Sequence, residues 1–158
     1  MPICIHSGNG SFNIHDFFEQ DSGFTQFKLA VVGAFHSLIY HEIPEKFPTL
    51  RFGIIEVSAQ WVPYAIHDLA KRFQRRSKEL KKNLLQENRI WVACQTDDDL
   101  SYILQYTGED NLVIGSDYGH ADTATEIDAL RNLQHDGKVN PRVVNKILDD
   151  NPRRLYAL

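Results

Sequence analysis

Three residues with donor chemistry stand at the same point of a recurring pattern. His6 ends the apolar run that starts at Pro2, Glu56 ends Leu50–Ile55, and Asp117 follows Asn111–Ser116. Cys94, Gln95 and Thr96 close a further run from Arg89, and His120 lies three residues past Asp117. Neutral imidazole and carboxylate are the usual ligands of zinc and similar divalent ions, and His6 and Asp117 could supply one each from separate strands. Each residue also has a plainer role open to it. A strand-end histidine can be a hydrogen-bonded core residue, and an aspartate in Gly-Ser-Asp-Tyr-Gly-His can hold a turn. Glu56 can pair with an arginine or a backbone amide unless a site surrounds it. Cys94 reads as a small buried hydrophobe. His15, His36, His41, His67 and His135 have no ligand spacing and read as structural.

The elements that must position these groups alternate in type. Strands are predicted at 2–7, 50–57, 89–94 and 111–116. Helical patterns cover 24–42, a basic stretch at 62–86, then 97–106 capped by Thr96 or Asp97, 123–134 and 141–149. Asn140-Pro141 and Asn151-Pro152 each place a cap residue before a proline suited to a first helical turn. Alternating strands and helices imply a parallel sheet covered by helices. Neither a dinucleotide fingerprint nor a phosphate loop is present, since Gly8-Asn9-Gly10 is followed by Asn13 where the fingerprint needs glycine. In a β/α barrel the active site gathers at the C-terminal ends of the strands, where His6, Glu56 and Asp117 fall.

The 158 residues are 42% apolar and 24% charged, with a net charge of -4, which suits one domain, residues 1–158, and argues against a disordered chain. No apolar run reaches membrane-span length, and no signal peptide is read at the start. Cys4 and Cys94 suggest reduced thiols and a cytoplasmic protein. Residues 71–82 carry seven Lys or Arg and one Glu, whereas 97–128 carry nine Asp or Glu and no Lys or Arg. The basic run reads as the solvated face of an amphipathic helix, so no nucleic-acid partner is expected.

Three segments resemble the amidohydrolase-related family, the group that includes aminocarboxymuconate-semialdehyde decarboxylase. They are Ile3-Cys-Ile-His6-Ser-Gly; Lys46-Phe-Pro-Thr-Leu-Arg-Phe-Gly-Ile-Ile-Glu56, continuing to Trp61-Val-Pro-Tyr; and Leu112-Val-Ile-Gly-Ser-Asp117-Tyr-Gly-His120 with the ending Asn151-Pro-Arg-Arg-Leu-Tyr156. The resemblance implies an α/β fold of parallel (β/α) repeats forming half of a TIM-like barrel, strands five to eight. It implies a divalent metal, usually zinc, with His6 and Asp117 as ligands. Asp117 and Glu56 would then be catalytic, and His120 and Trp61 near substrate. Glu56 stands where many members have histidine, and Gly119 where proline is usual. The family's first-strand His-x-His pair has no counterpart here.

The expected activity is therefore that of a metal-dependent hydrolase or decarboxylase acting on a small carboxylated or amide-like substrate. The alternative is a non-catalytic half-barrel or structural partner. With two matching ligands instead of the three that a catalytic zinc normally has, metal binding by this chain alone is expected to be weak. Four strands cannot close a barrel of eight, so a homodimer or association with an N-terminal half-barrel is expected. In such a dimer Asp117 would approach His6 of the partner subunit.

Overall fold

The computed structural model describes residues 1–8, 24–120 and 125–158. Strands β1 (Pro2–His6), β2 (Arg51–Ile55), β3 (Ile90–Cys94) and β4 (Leu112–Ile114) form one sheet in the order β1-β2-β3-β4. All three neighbouring pairs are parallel, with Cys4 beside Gly53, Gly53 beside Trp91 and Ala93 beside Val113. The parallel sheet is what the alternation predicted, and its sequential order is that of half a β/α barrel, the form the family resemblance implied. The helices are α1 (Ala30–Tyr40, entered through a π-helical Phe24–Leu29), α2 (Ile43–Lys46), α3 (Val62–Arg75), α4 (Leu84–Asn88), α5 (Leu100–Thr107), α6 (Ala129–His135), α7 (Pro141–Asn145) and α8 (Asn151–Tyr156), with a π-helical Lys146–Asp150 before α8.

Side-chain alternation along each strand divides the sheet into two faces. Phe52, Ile54, Ile90, Val92 and Leu112 point to the helices and are buried with Phe35 and Ile39 of α1, Leu69 and Phe73 of α3 and Ile103 of α5. The spacing of Val62, Ala65, Leu69 and Phe73 explains α3: one stripe is buried and the charged residues stay outside. The opposite face carries Cys4, His6, Gly53, Ile55, Trp91, Ala93 and Val113 by the same register. Among the described residues only its lower part is covered. Leu155 of α8 is fully buried against Trp91 and Val113. Gly53 makes the space: a Cβ there would stand 3.3 Å from Leu155 Cδ2 and 3.2 Å from Cys4 Sγ. Cys4 and His6 remain exposed.

Several element boundaries differ from those read in the sequence. The basic stretch 62–86 is two helices, because Ser77 adopts φ 54° and ends the first. Two of the cationic side chains at its break are held by another part of the chain. Arg76 lies over the Tyr40 ring at 4.8 Å and donates to the Tyr40 carbonyl at 2.7 Å, and Lys78 pairs with Glu42 at 2.6 Å. Similarly, 24–42 ends its α-helix at Tyr40, and Glu42 takes φ 56°. The cap of α5 is Asp99, whose carboxylate accepts from the Tyr102 N–H at 3.0 Å, in place of Thr96 or Asp97. Asn140 caps α7 by accepting from the Arg142 N–H at 2.9 Å. Asn151 is not a cap. It continues a helical backbone, is fully buried, and donates to the carbonyls of Glu109 (2.9 Å) and Leu112 (2.8 Å), bracing the start of β4. Residues 121–124 and His15 lie outside the described residues.

Candidate metal centre

His6, Glu56 and Asp117 converge at the C-terminal end of the sheet, with one donor atom from each lying within 4.8 Å of the others. His6 Nδ1 is 2.9 Å from Glu56 Oε2 and 2.5 Å from the Ser7 carbonyl. His120 Nδ1 is 2.9 Å from Asp117 Oδ1 and 3.6 Å from Glu56 Oε1, so it links the two carboxylates. The Ser7 hydroxyl donates to Glu56, and the Thr125 hydroxyl donates to Asp117 Oδ2 at 3.2 Å. The carboxylates are the sheltered members, with 8% and 16% of their side-chain surface exposed, while His6 and His120 open to solvent at 45% and 56%. Within one chain Asp117 thus already meets His6, and no partner subunit is needed to bring them together.

Glu56 reaches this cluster by breaking the alternation. Ile54 faces the helices and Ile55 the opposite side, so a continued strand would send Glu56 into the helix-side core. Its backbone instead takes φ 69°, a left-handed conformation uncommon for a residue with a side chain. The phase shifts by one residue: Val57 enters the helix-side core at 2% exposure, and the Glu56 carboxylate turns to His6. Asp117 leaves β4 with φ 50°, also left-handed.

The remaining predicted residues separate clearly. His120 belongs to the cluster. Trp61 does not show a substrate-facing geometry: its indole N–H donates to the carbonyls of Val57 (3.1 Å) and Ser58 (2.8 Å), and its ring packs edge-on against Phe35 at 4.9 Å. It braces the turn after Glu56. Cys94 is buried, and desolvation, aided by the nearby Asp98 charge, pushes its thiol pKa up to about 12, so it is an inert core residue as read. His36 bonds Asp68 at 2.9 Å, a structural pairing. The basic run is also engaged, with Arg72 on Asp68 at 2.5 Å and Lys81 on Glu45 at 3.0 Å.

Two carboxylates escaped the sequence reading. Asp98, inside the run Asp97-Asp98-Asp99, is buried and accepts from the Ala59 N–H at 2.9 Å, the Gln95 N–H at 2.8 Å and the Ser58 hydroxyl. Glu126 accepts from Thr96 and from Asn132 Nδ2 at 2.7 Å, while its own N–H donates to the Ser116 carbonyl at 3.0 Å. Nothing in their local sequence separates them from solvated acids.

The donor set fits a divalent ion. It combines one imidazole nitrogen with two carboxylates, a mixture suited to zinc or to a harder ion such as manganese. Glu56 could supply a third protein donor beside His6 and Asp117. Among the described residues, the ion pairs of Glu56 and Asp117 are with His6 and His120, not with any Lys or Arg.

Solved structures share this fold. An amidohydrolase from Mycobacterium avium subsp. paratuberculosis is 23% identical with a TM-score of 0.75, and the chain is covered in full against 42% of that structure. A 5-carboxyvanillate decarboxylase from Sphingomonas paucimobilis is 15% identical, TM-score 0.77, with 100% of this chain on 50% of that one. Another, from Novosphingobium aromaticivorans, solved with bound manganese and 3-methoxy-4-hydroxy-5-nitrobenzoic acid, is 20% identical, TM-score 0.76, with 100% on 49%. The chain therefore spans about half the length of the structures it matches. No curated protein matches the sequence. The family model described as amidohydrolase, however, matches residues 1–158, and the chain belongs to that family.

Proposed function

We propose that this chain supplies one half of a metal-dependent amidohydrolase-type active site, with His6, Glu56 and Asp117 as its protein ligands to a divalent ion. The observation that supports it is the convergence of these three donors, from three strands, within 4.8 Å of one another. A bound ion would act as a Lewis acid and acidify a coordinated water. The residues around it have their own tasks. His120, with Nδ1 against Asp117 and an exposed ring, carries a proton between the carboxylate pair and substrate. Ser7 and Thr125 hold one oxygen each of Glu56 and Asp117, which fixes the orientation of both carboxylates. The substrate is a small carboxylated or amide-like molecule, and the reaction is hydrolysis or carbon–carbon cleavage such as decarboxylation. Two of the solved neighbours are decarboxylases, and a third, from Rhodopseudomonas palustris, is a 4-oxalomesaconate hydratase.

The full reaction belongs to a closed barrel. Among the described residues the upper inner face of the sheet is open at Cys4 and His6, and β1 and β4 each have one strand neighbour. A second set of four (β/α) units, from a preceding segment, a separate chain or a second copy, completes it.

The test is titration of the purified chain with Mn2+ and Zn2+ by calorimetry, with His6→Ala and Asp117→Asn as controls. Saturable binding of one ion, lost in both variants, is expected. Unchanged binding in either variant removes that residue from the ligand set, and absence of binding at millimolar metal leaves the non-catalytic half-barrel as the reading.

A further inference from the structure

We infer that Asp98 is a positioning residue for Glu56, acting through the turn that turns Glu56 out of its strand. This rests on the reading of Glu56 as a metal ligand. The turn is costly on its own: Glu56 at φ 69° and Ser58 at φ 60° are two left-handed non-glycine residues separated by one position. Such conformations persist where surrounding contacts over-determine them. Here the surroundings are one buried carboxylate and one indole. Asp98, 7% exposed, accepts from the Ser58 hydroxyl and the Ala59 N–H on the turn, and from the Gln95 N–H at the end of β3. Gln60 returns the link, since its side-chain carbonyl accepts from the Asp99 N–H at 2.9 Å, and its own N–H donates to Ser58 Oγ at 3.1 Å. The β2–α3 and β3–α5 connections are thereby laced together by Asp98 and its neighbour. Trp61 grips the Val57 and Ser58 carbonyls from the other side.

The consequence is directional. With Asp98 in place, Val57 stays in the core and the Glu56 carboxylate stays beside His6. Without it, the buried Ala59 N–H loses its acceptor and the Ser58 hydroxyl and Gln95 N–H lose this one, the turn relaxes toward extended backbone, and the strand alternation pulls Glu56 away from His6 and Asp117. Asp98 itself touches none of the three donors in the hydrogen bonds and ion pairs of the described residues; its effect on them passes through Glu56.

A double-mutant cycle tests this. Mn2+ affinity is measured for the wild-type chain, Asp98→Ala, Glu56→Gln and the double variant, with thermal melts confirming that each is folded. Asp98→Ala is expected to weaken Mn2+ about 10-fold or more, and to change affinity less than about twofold when Glu56 is already Gln. An equal loss in both backgrounds, or no loss in either, overturns the proposal. If Asp98→Ala does not fold, Ser58→Ala, which removes one of the three donors, goes through the same cycle and is judged by the same comparison. If the wild-type chain binds no Mn2+, the metal reading has failed, and the imidazole proton resonances of His6 and His120 decide at fixed pH. A shift of the same sense in the Asp98 and Glu56 variants supports the positioning role, and unmoved resonances in the Asp98 variant overturn it.

Discussion

The two ends of the four-stranded sheet solve opposite problems. At the N-terminal end, charges are matched and several polar groups are tied to backbone, although Arg51 Nε and Asn151 Oδ1 are buried without a hydrogen-bond partner. Lys146 meets Glu109 at 3.1 Å and Asp110 at 3.0 Å, Arg154 meets the same Asp110 at 3.0 Å, and Arg89 donates to the Leu50 carbonyl at 2.9 Å. Asn111 donates to the Ile90 carbonyl at 2.8 Å, and Asn151 spans from α8 to β4. At the C-terminal end, the described residues that follow the strands, 7–8, 56–61, 95–99, 115–120 and 125–128, contain seven Asp or Glu and no Lys or Arg. Carboxylates there lean on histidines, hydroxyls and backbone amides. One end is arranged for stability. The other keeps carboxylates close together with histidines and, among the described residues, without Lys or Arg, which is the arrangement behind the proposed divalent-ion site.

If that division is right, substitutions at the two ends differ in which quantity they change. The largest effect on folding is expected for Leu155→Ala, which empties the contact with Trp91 and Val113. A loss of about 2–5 kcal/mol in denaturant unfolding is expected, with Mn2+ affinity of the remaining folded protein unchanged. Asn151→Ala comes next, at about 1–3 kcal/mol, since it frees the buried carbonyl of Leu112 and the part-buried one of Glu109. Gly53→Ala brings a methyl group 3.2–3.4 Å from Cys4, Leu155 and Ile55, and a cost of about 1–3 kcal/mol is expected. Glu56→Gln has the opposite sign. It removes one of two neighbouring carboxylates, so the metal-free chain gains about 0.5–2 kcal/mol while Mn2+ affinity falls. A destabilised Glu56→Gln, or a Leu155→Ala that loses metal while folded, would break the contrast between the ends.

The smallest effect sharpens it by pH. Hydrogen bonds and charge from Lys146 lower the carboxyl pKa values of Glu109 and Asp110, and those partners raise that of Lys146. A carboxylate with a lowered folded pKa stabilises above its unfolded pKa, and that contribution is lost as pH falls through the folded value. Lys146 runs the other way: its contribution is present at neutral pH and lost as pH rises through its raised pKa. Asp110→Asn should therefore flatten the acid limb of a stability profile between about pH 5 and 2, and also the alkaline limb where Lys146 titrates. Unchanged acid and alkaline limbs would show that this cluster holds nothing together.

Much of this was legible in the sequence, for a physical reason. Strands with Ile, Val and Phe flanked by turn formers announce themselves locally, and the observed β1–β4 fall inside the predicted spans. The order of a parallel sheet then carries His6, Asp117 and His120 to one end without further information. Most of the unread parts depend on contacts distant in sequence. Residues 62–86 look like one helix until Tyr40 and Glu42 take hold of Arg76 and Lys78. Trp61 reads as a residue for substrate until its indole is found holding the Val57 and Ser58 carbonyls. Asp98 is one of three consecutive aspartates, and only the fold shows which one is buried. Glu56 could be named as a candidate, but the half-turn that swings it across the sheet leaves no mark in residue type.

The position of α8 has a consequence for the order of assembly. The lower inner face of the sheet is sealed by Leu155, and Arg51 Nη1 donates to the Arg154 carbonyl at 3.2 Å across 103 residues of chain. Contacts of such sequence separation form late, because the intervening loop must be closed first. During folding, the four strands can therefore pair while the surface of Trp91 and Val113 that Leu155 covers is still bare. That intermediate carries an apolar underside until α8 docks, so removing α8 is expected to leave a chain that associates through this face.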